Sequence, residues 1–311
     1  MSLSLVGDIG GSKSFIAVAE VEGRNYSFES VERYDNSRFR SFESVLDNFL
    51  KNIGFTPRVA VFAVAGPVVN GRARLTNRNW VIDAGKLSRK YKMQVTVVND
   101  VEATGYSIPL LKDSDLVLLR GKPNAEGNKS IFAPGAGLGI SIVAWEGFCH
   151  DVLACEGGHA DFAARNQLEW ELKQSIIKEL GNCDIESVIS GPGIVRLYNF
   201  LRGKKGLSPK KVFPEEVSAR NDIDAKEAID WFVSLCAYQA GNLAFTAGST
   251  GGVYIAGGIV PKMVDLFRRS SFSKDFVGKR RLSEYLLNIP VYVIVKVDAA
   301  LIGAAYLSNE L

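Results

Sequence analysis

Gly7-Asp8-Ile9-Gly10-Gly11-Ser12 follows the short apolar run Leu3-Ser4-Leu5-Val6 and decides how the chain is read. Residues 3 to 9 read as a buried strand that ends beside an acid. A turn of small residues follows, and Phe15-Ile16-Ala17-Val18-Ala19 reads as the strand that returns. Successive backbone N–H groups in such a turn make an anion nest, and the Ser12 hydroxyl adds a donor. Asp8, at the strand end, stands where a metal-bound phosphate would come. Tyr26 to Tyr34 reads as a third strand, and a strand-turn-strand opening is not a βαβ opening. Lys13-Ser14 gives this stretch the look of a P-loop. However, Ser12 occupies the place of the second glycine, and a strand follows where a P-loop needs a helix.

Outward from that turn, apolar residues recur at helical spacing through Phe42, Val45, Leu46, Phe49 and Leu50. Val59 to Val64 reads as a strand closed by Ala65-Gly66-Pro67, and Val95 to Val98 as one closed by Asn99-Asp100. A helix is expected from Val101 to Leu111. The second half repeats the plan loosely. Strands are expected at 116–119, 130–133, 140–145, 253–256 and 291–295, and helices at 167–179, 193–201, 224–246 and 299–307. Pro261 suits the first turn of a helix. The chain therefore reads as mixed α/β in two domains, 1–106 and 107–298, with the helix of 299–311 returning to pack on the first. A cleft between such halves is a natural ligand site.

Gly135-Ala136-Gly137-Leu138-Gly139 is a second glycine turn, about one domain later. Its spacing is wrong for a dinucleotide fold, and strand-like sequence follows it. Two such turns suit a nucleotide gripped by two domains, although a single glycine turn is equally a plain hairpin.

The 311 residues are 47% hydrophobic and 23% charged with a net charge of +3, an ordinary globular composition that gives no reason to expect a nucleic-acid partner. The basic stretches Arg202 to Lys211 and Lys279-Arg280-Arg281 read as solvated segments. No apolar run reaches the roughly 18–20 residues of a membrane helix. The start of the chain lacks the signature of a signal peptide, so a cytoplasmic protein without a membrane partner is expected. Four cysteines form no C-x-x-C pair and only two histidines exist, a poor set for structural zinc.

Together these motifs resemble the bacterial-type glucokinase family, of the actin-like ATPase (ribonuclease H-like) fold shared with hexokinase and Hsp70. The resemblance runs nearly end to end. Beside the turns already quoted it rests on Leu75-Thr76-Asn77-Arg78-Asn79-Trp80, Asn99-Asp100, Glu156-Gly157-Gly158-His159-Ala160-Asp161-Phe162, Ser190-Gly191-Pro192-Gly193, Ile255-Ala256-Gly257-Gly258-Ile259-Val260-Pro261 and Ile289-Pro290-Val291-Tyr292.

The resemblance implies an ATP-dependent sugar kinase of carbohydrate metabolism that transfers the γ-phosphoryl group to the 6-hydroxyl of glucose. It implies Asp100 as general base, which otherwise, like Asn99, reads as a helix cap. Asn99, Asp100, Glu156, His159, Glu186 and Asn77 would bind the sugar. Gly7, Asp8, Ile9, Gly10, Gly11, Ser12, Gly135, Ala136, Gly137, Gly257 and Gly258 would bind ATP, with Asp8 orienting Mg²⁺. The partner is a small-molecule sugar, and a homodimer is left open.

Ala136 stands where the family usually has Thr, so one hydroxyl contact is missing, and Ser12 replaces another Thr. Arg78 and Arg165 lie beside sugar-site motifs, and a guanidinium suits a carboxylate. They motivate an alternative substrate, an acidic sugar such as 2-keto-3-deoxygluconate. A sugar-sensing protein without turnover is the second alternative.

Overall fold

The computed structural model of the chain describes residues 3–75, 78–147, 149–220 and 222–311. In chain order the first elements are β1 (Ser4–Ile9), β2 (Lys13–Glu22), β3 (Asn25–Asp35), α1 (Phe42–Ile53) and β4 (Val59–Val64). Then come β5 (Val68–Val69), β6 (Arg72–Arg74), β7 (Val81–Asp83), α2 (Ala84–Tyr91), β8 (Gln94–Asn99) and α3 (Asp100–Ser107). Next are β9 (Leu116–Arg120), β10 (Lys129–Pro134), β11 (Leu138–Trp145), β12 (His150–Cys155), α4 (Gln167–Leu180), α5 (Gly191–Lys204), α6 (Pro214–Ala219) and α7 (Ile223–Thr246). The chain closes with β13 (Gly252–Ile255), α8 (Val264–Arg269), α9 (Phe272–Val277), α10 (Ser283–Leu287), β14 (Val291–Ile294) and α11 (Ala299–Asn309).

The chain forms two compact units. One holds the residues up to Asp115 with Asp151–Ala154 and Lys296–Leu311, and the other Leu116–His150 with Cys155–Val295. The first unit's sheet has the order β3-β2-β1-β4-β8. Antiparallel pairs join β1 to β2 and β2 to β3, and parallel pairs join β1 to β4 and β4 to β8. The second sheet repeats this order as β12-β11-β10-β13-β14 and adds β9 at its edge. The loose repetition visible in the sequence is thus a repeat of sheet topology.

β1 is central and buried on both faces, which is why its sequence runs apolar without strict alternation. Leu5 and Ile9 join the core beneath α1 with Phe42, Phe49 and Phe62, whereas Val6 joins Ala17, Ala63, Ala103, Leu301 and Ala304 under α3 and α11. Period-two geometry sets Asp8 on the same face as Val6, the face on which α3 begins. At Gly303 in α11 a side chain would overlap the Ala103 carbonyl of α3, so glycine allows the two backbones to approach. In the second unit α7 buries Ile229, Phe232, Val233, Cys236 and Leu243 against β10 and β13.

Several elements depart from expectation. The helix expected to reach Leu111 ends as α-helix at Ser107 and tightens into a 3₁₀ turn over Ile108–Leu110, because Pro109 supplies no N–H. Pro261 opens a 3₁₀ turn, Val260–Met263, rather than an α-helix. The small antiparallel sheet β5-β6-β7 went unread, although Asn70-Gly71 is a two-residue hairpin signal with φ of 51° and 69°.

Candidate functional site

Each unit carries one glycine turn, and in each the turn is tied down by residues distant in sequence. In the first unit Gly10 N–H donates to the Lys13 carbonyl at 2.9 Å and closes the β1-β2 hairpin. The three carbonyls of the turn are then claimed from outside. Asn36 Nδ2 donates to Gly10 O at 2.8 Å, Arg78 Nε to Gly11 O at 2.9 Å, and Asn36 N to Ser12 O at 3.0 Å. Asn36 is fully buried and accepts the Ser14 hydroxyl at 2.8 Å. With the carbonyls held, the amides of Gly11 and Ser12 donate to no backbone carbonyl among the described residues. Donors without an acceptor in a pinned turn suit an anion.

Two residues expected in this set also pack into the core. Ile9 is fully buried in the core and its carbonyl accepts Ala65 N–H at 3.0 Å. Gly7 lies within β1, where a side chain would meet the Phe62 ring at 2.9 Å, so its small size serves packing.

Asn99 and Asp100 occupy the junction of β8 and α3. Asn99 is the N-cap: its Oδ1 accepts the amides of Val101 at 2.8 Å and Glu102 at 3.3 Å, and Glu102 returns the contact to Asn99 N–H. Its Nδ2 donates to Gly66 O at 3.0 Å, which leaves one amide hydrogen. Asp100 is the first helical residue, and its Oδ1 accepts Val101 N–H at 2.9 Å. The helix N-terminus favours the ionised carboxylate there. Asp8, half-buried, is pushed up to about 7, first by burial and then by the charge of Asp100. Asp100 thus raises the proton affinity of Asp8, and a divalent cation with bound phosphate would favour the ionised Asp8 carboxylate. Among the described residues no group of three or more acidic, His or Cys side chains forms a self-sufficient metal cage. A pair fits Mg²⁺, which takes few carboxylates and completes its shell with phosphate and water.

In the second unit the turn Gly135-Ala136-Gly137 closes through Gly135 N–H to Gly137 O at 2.8 Å. Gly191 N, at the start of α5, donates to Gly135 O at 2.8 Å. Glu186 Oε2 accepts Leu138 N–H at 2.7 Å, and a side chain at Gly137 would overlap that carboxylate. Gly257 has φ of 84° and would strike the Pro134 carbonyl with any side chain, whereas Gly258 is exposed and unobstructed. Four motifs separated by up to about a hundred residues, around 135, 186, 191 and 257, thus meet at one turn. Ala136 is exposed beside them.

Glu156, His159 and Glu186 join the same assembly. Glu186 N–H donates to Gly158 O at 2.9 Å, and Gly158 leaves no room for a side chain against Leu138 O. His159 lies in a 3₁₀ turn, Gly157–His159, with its N–H on Glu156 O at 3.0 Å. Its Nδ1 meets Asp184 Oδ2 at 3.0 Å, and that hydrogen bond leads the causes that raise its pKa. Asp184 is itself oriented by Ser187, whose amide and hydroxyl both reach Oδ1. Nδ1–H is then the donor to Asp184, and Nε2 remains for a ligand. Glu156 and His159 are exposed.

The two arginines are spoken for. Arg78 donates to Gly11 O and Asn36 O and lies 5.7 Å from the Trp80 ring centroid. Arg165 pairs with the fully buried Glu169 and lies 4.7 Å from the Tyr238 ring centroid. Both guanidinium groups thus already serve the fold, which counts against the acidic-sugar alternative. Asn77 lies outside the described residues. Sequence reading missed Asn36, Glu169 and Asp184. Nothing marks the first two, while Asp184 had the signal of an acid two residues before Glu186.

The family model for glucokinase matches residues 5–311. A glucokinase of Saccharophagus degradans is 34% identical over 315 aligned positions, covering 99% of this chain and 98% of that protein. A glucokinase of a Nostoc species is 34% identical over 342 positions and covers both chains fully. The crystal structure of a glucokinase from an Antarctic psychrotroph superposes with a TM-score of 0.91 at 28% identity, covering 100% of each chain. A family match over residues 5–311, with relatives 34% identical over nearly their whole length, means that the chain belongs to the glucokinase family.

Proposed function

We propose that the protein transfers the γ-phosphoryl group of ATP to the 6-hydroxyl of glucose. The observation that carries the reading is the coupling of Asp8 to Asp100 at the ends of β1 and β8. Asp100 is the general base. The 6-oxygen forms a bond to the γ-phosphorus, the bond from that phosphorus to the ADP oxygen breaks, and the hydroxyl proton passes to the Asp100 carboxylate. Such transfers need positioning and charge neutralisation more than covalent chemistry. In the first unit the amides of Gly11 and Ser12 suit phosphate oxygens; in the second the turn Gly135-Ala136-Gly137 does, and Gly258 leaves space for the adenosine.

Asp8 is the residue that would hold Mg²⁺, which when bound neutralises phosphate charge. In the second unit Glu156, His159 Nε2 and the second oxygen of Glu186 suit sugar hydroxyls, and in the first unit the remaining Asn99 amide hydrogen does. A site built this way rejects an analogue that leaves a polar group unpaired.

Asp100→Asn tests the assignment, because it keeps size and helix position while removing basicity. Turnover in a coupled ADP-release assay should fall by at least about 10³, while glucose binding by calorimetry holds within about threefold. Near wild-type turnover in this variant would remove Asp100 from the chemistry.

A further inference from the structure

Within the second unit, among residues not assigned to phosphoryl transfer, an open cleft of about 630 Å³ is lined by Arg165, Ser234, Tyr238, Asp275, Lys279 and Arg280. Arg165, Lys279 and Arg280 thus face Asp275, with the buried Glu169 paired to Arg165 behind them, and Asp275 accepts the Ser271 hydroxyl at 2.6 Å. The cleft is built by tertiary contacts. Gly241 in α7 has no side chain, so the Phe276 carbonyl and the Lys279 stem pass directly over the helix. The Lys279 ammonium donates to Tyr238 O at 2.8 Å and Asn242 Oδ1 at 2.6 Å, which leaves its third hydrogen. Arg165 and Lys279 lie over the same Tyr238 ring, 4.7 and 2.9 Å from its centroid. Arg280 is held at φ of 52°, a left-handed conformation costly for a branched polar chain and found where the surroundings impose it.

We propose that this cleft binds a phosphate group, either free or as the monoester of a small metabolite. The three cations outnumber Asp275 and Glu169, so a further cation is disfavoured. A phosphate offers three or more acceptor oxygens to the third Lys279 hydrogen, Arg280 and Ser234, more than the two of a carboxylate. Ser234 adds a neutral donor, and its Oγ is 3.4 Å from both terminal nitrogens of Arg165. The volume falls within the range of small-ligand sites. Burial, and then the Arg165 charge, push the Lys279 ammonium down to about 7, and a bound anion would raise it again.

Inorganic phosphate titrated calorimetrically into the wild type, Lys279→Met and Arg280→Asn tests the site. Asn tolerates the left-handed backbone, so the second variant keeps the fold if the first does not. Wild-type binding is expected at about 0.1–1 mM, weakened at least about tenfold by either substitution, with kcat on glucose unchanged because neither residue belongs to the catalytic set. Equal affinity in all three proteins, or no wild-type binding up to about 20 mM, overturns the proposal. A parallel titration with glucose 6-phosphate, read as the difference between wild type and Lys279→Met, identifies the source. Tighter binding than inorganic phosphate points to a monoester and equal binding to free phosphate, and either result upholds the site.

Discussion

Glu186 Oε2 accepts the Leu138 amide hydrogen at 2.7 Å across the space that a side chain at Gly137 would fill. One carboxylate thereby joins a motif expected to bind sugar to a turn expected to bind phosphate. Gly137→Ala should displace Glu186 and break that hydrogen bond, a loss of about 1–2 kcal/mol. The KM for ATP is expected to rise about tenfold and that for glucose to rise with it. Steady-state kinetics with each substrate varied in turn checks the pairing, and a change confined to one substrate would separate the two roles.

Asp8 sets function against stability. Its folded pKa of about 7 lies above the ordinary 3.8, so the folded state prefers the protonated form. Its contribution is fully favourable below pH 3.8 and is lost as pH rises through 7. Asp8→Asn should therefore stabilise the ligand-free protein by roughly 2–4 kcal/mol at pH 8, and by less at pH 5. Thermal melts at both pH values measure this, and the same variant should be nearly inactive.

His159 should depend on Asp184. Asp184→Asn removes the hydrogen bond that leads the rise in the His159 pKa, so NMR titration should find that pKa lower. The wild-type pair favours folding at pH below 6.5, and that contribution fades as pH rises through the raised folded pKa. On the proposed assignment Asp184 orients a sugar-binding group and takes no proton from the hydroxyl, so the KM for glucose is expected to increase by about three- to tenfold at nearly constant kcat.

Arg78→Ala should free the Gly11 and Asn36 carbonyls and loosen the first phosphate turn. The expected signature is a KM for ATP higher by about fivefold or more, with glucose still preferred over a keto-acid. A loss of keto-acid turnover instead would restore the acidic-sugar reading.

Gly303→Ala addresses the fold alone. The added methyl would overlap the Ala103 carbonyl, which is backbone and cannot swing aside. Separation of α3 from α11 should cost about 2–3 kcal/mol, seen as a lower midpoint in urea.

Much of this protein was legible before any coordinates. The apolar runs of β1, β4 and β10 and the periodic α1 and α7 announce themselves because their burial dictates their composition. The short strands β5, β6 and β7 carry too few residues for periodicity to register. The motifs at Gly10-Gly11-Ser12, Asn99-Asp100, Gly135 to Gly137 and Glu156 to His159 were visible as chemistry. Gly7 and Ile9 sat in the same string, yet their work is packing, a distinction that only the Phe62 ring and the surrounding core reveal.

By itself the sequence determined the longer strands and helices such as β1, β4, β10, α1 and α7, the family and the residue types at both turns. Those follow from local hydrophobic pattern and backbone sterics, which neighbouring residues specify. Only the tertiary structure decided that Asn36 and Arg78 hold the first turn, that Glu186 holds the second, that Asp184 orients His159 and that Arg165 answers Glu169. Each of those contacts closes a loop between distant segments, and a hydrogen bond has no signature in sequence until folding brings its donor within about 3 Å of its acceptor.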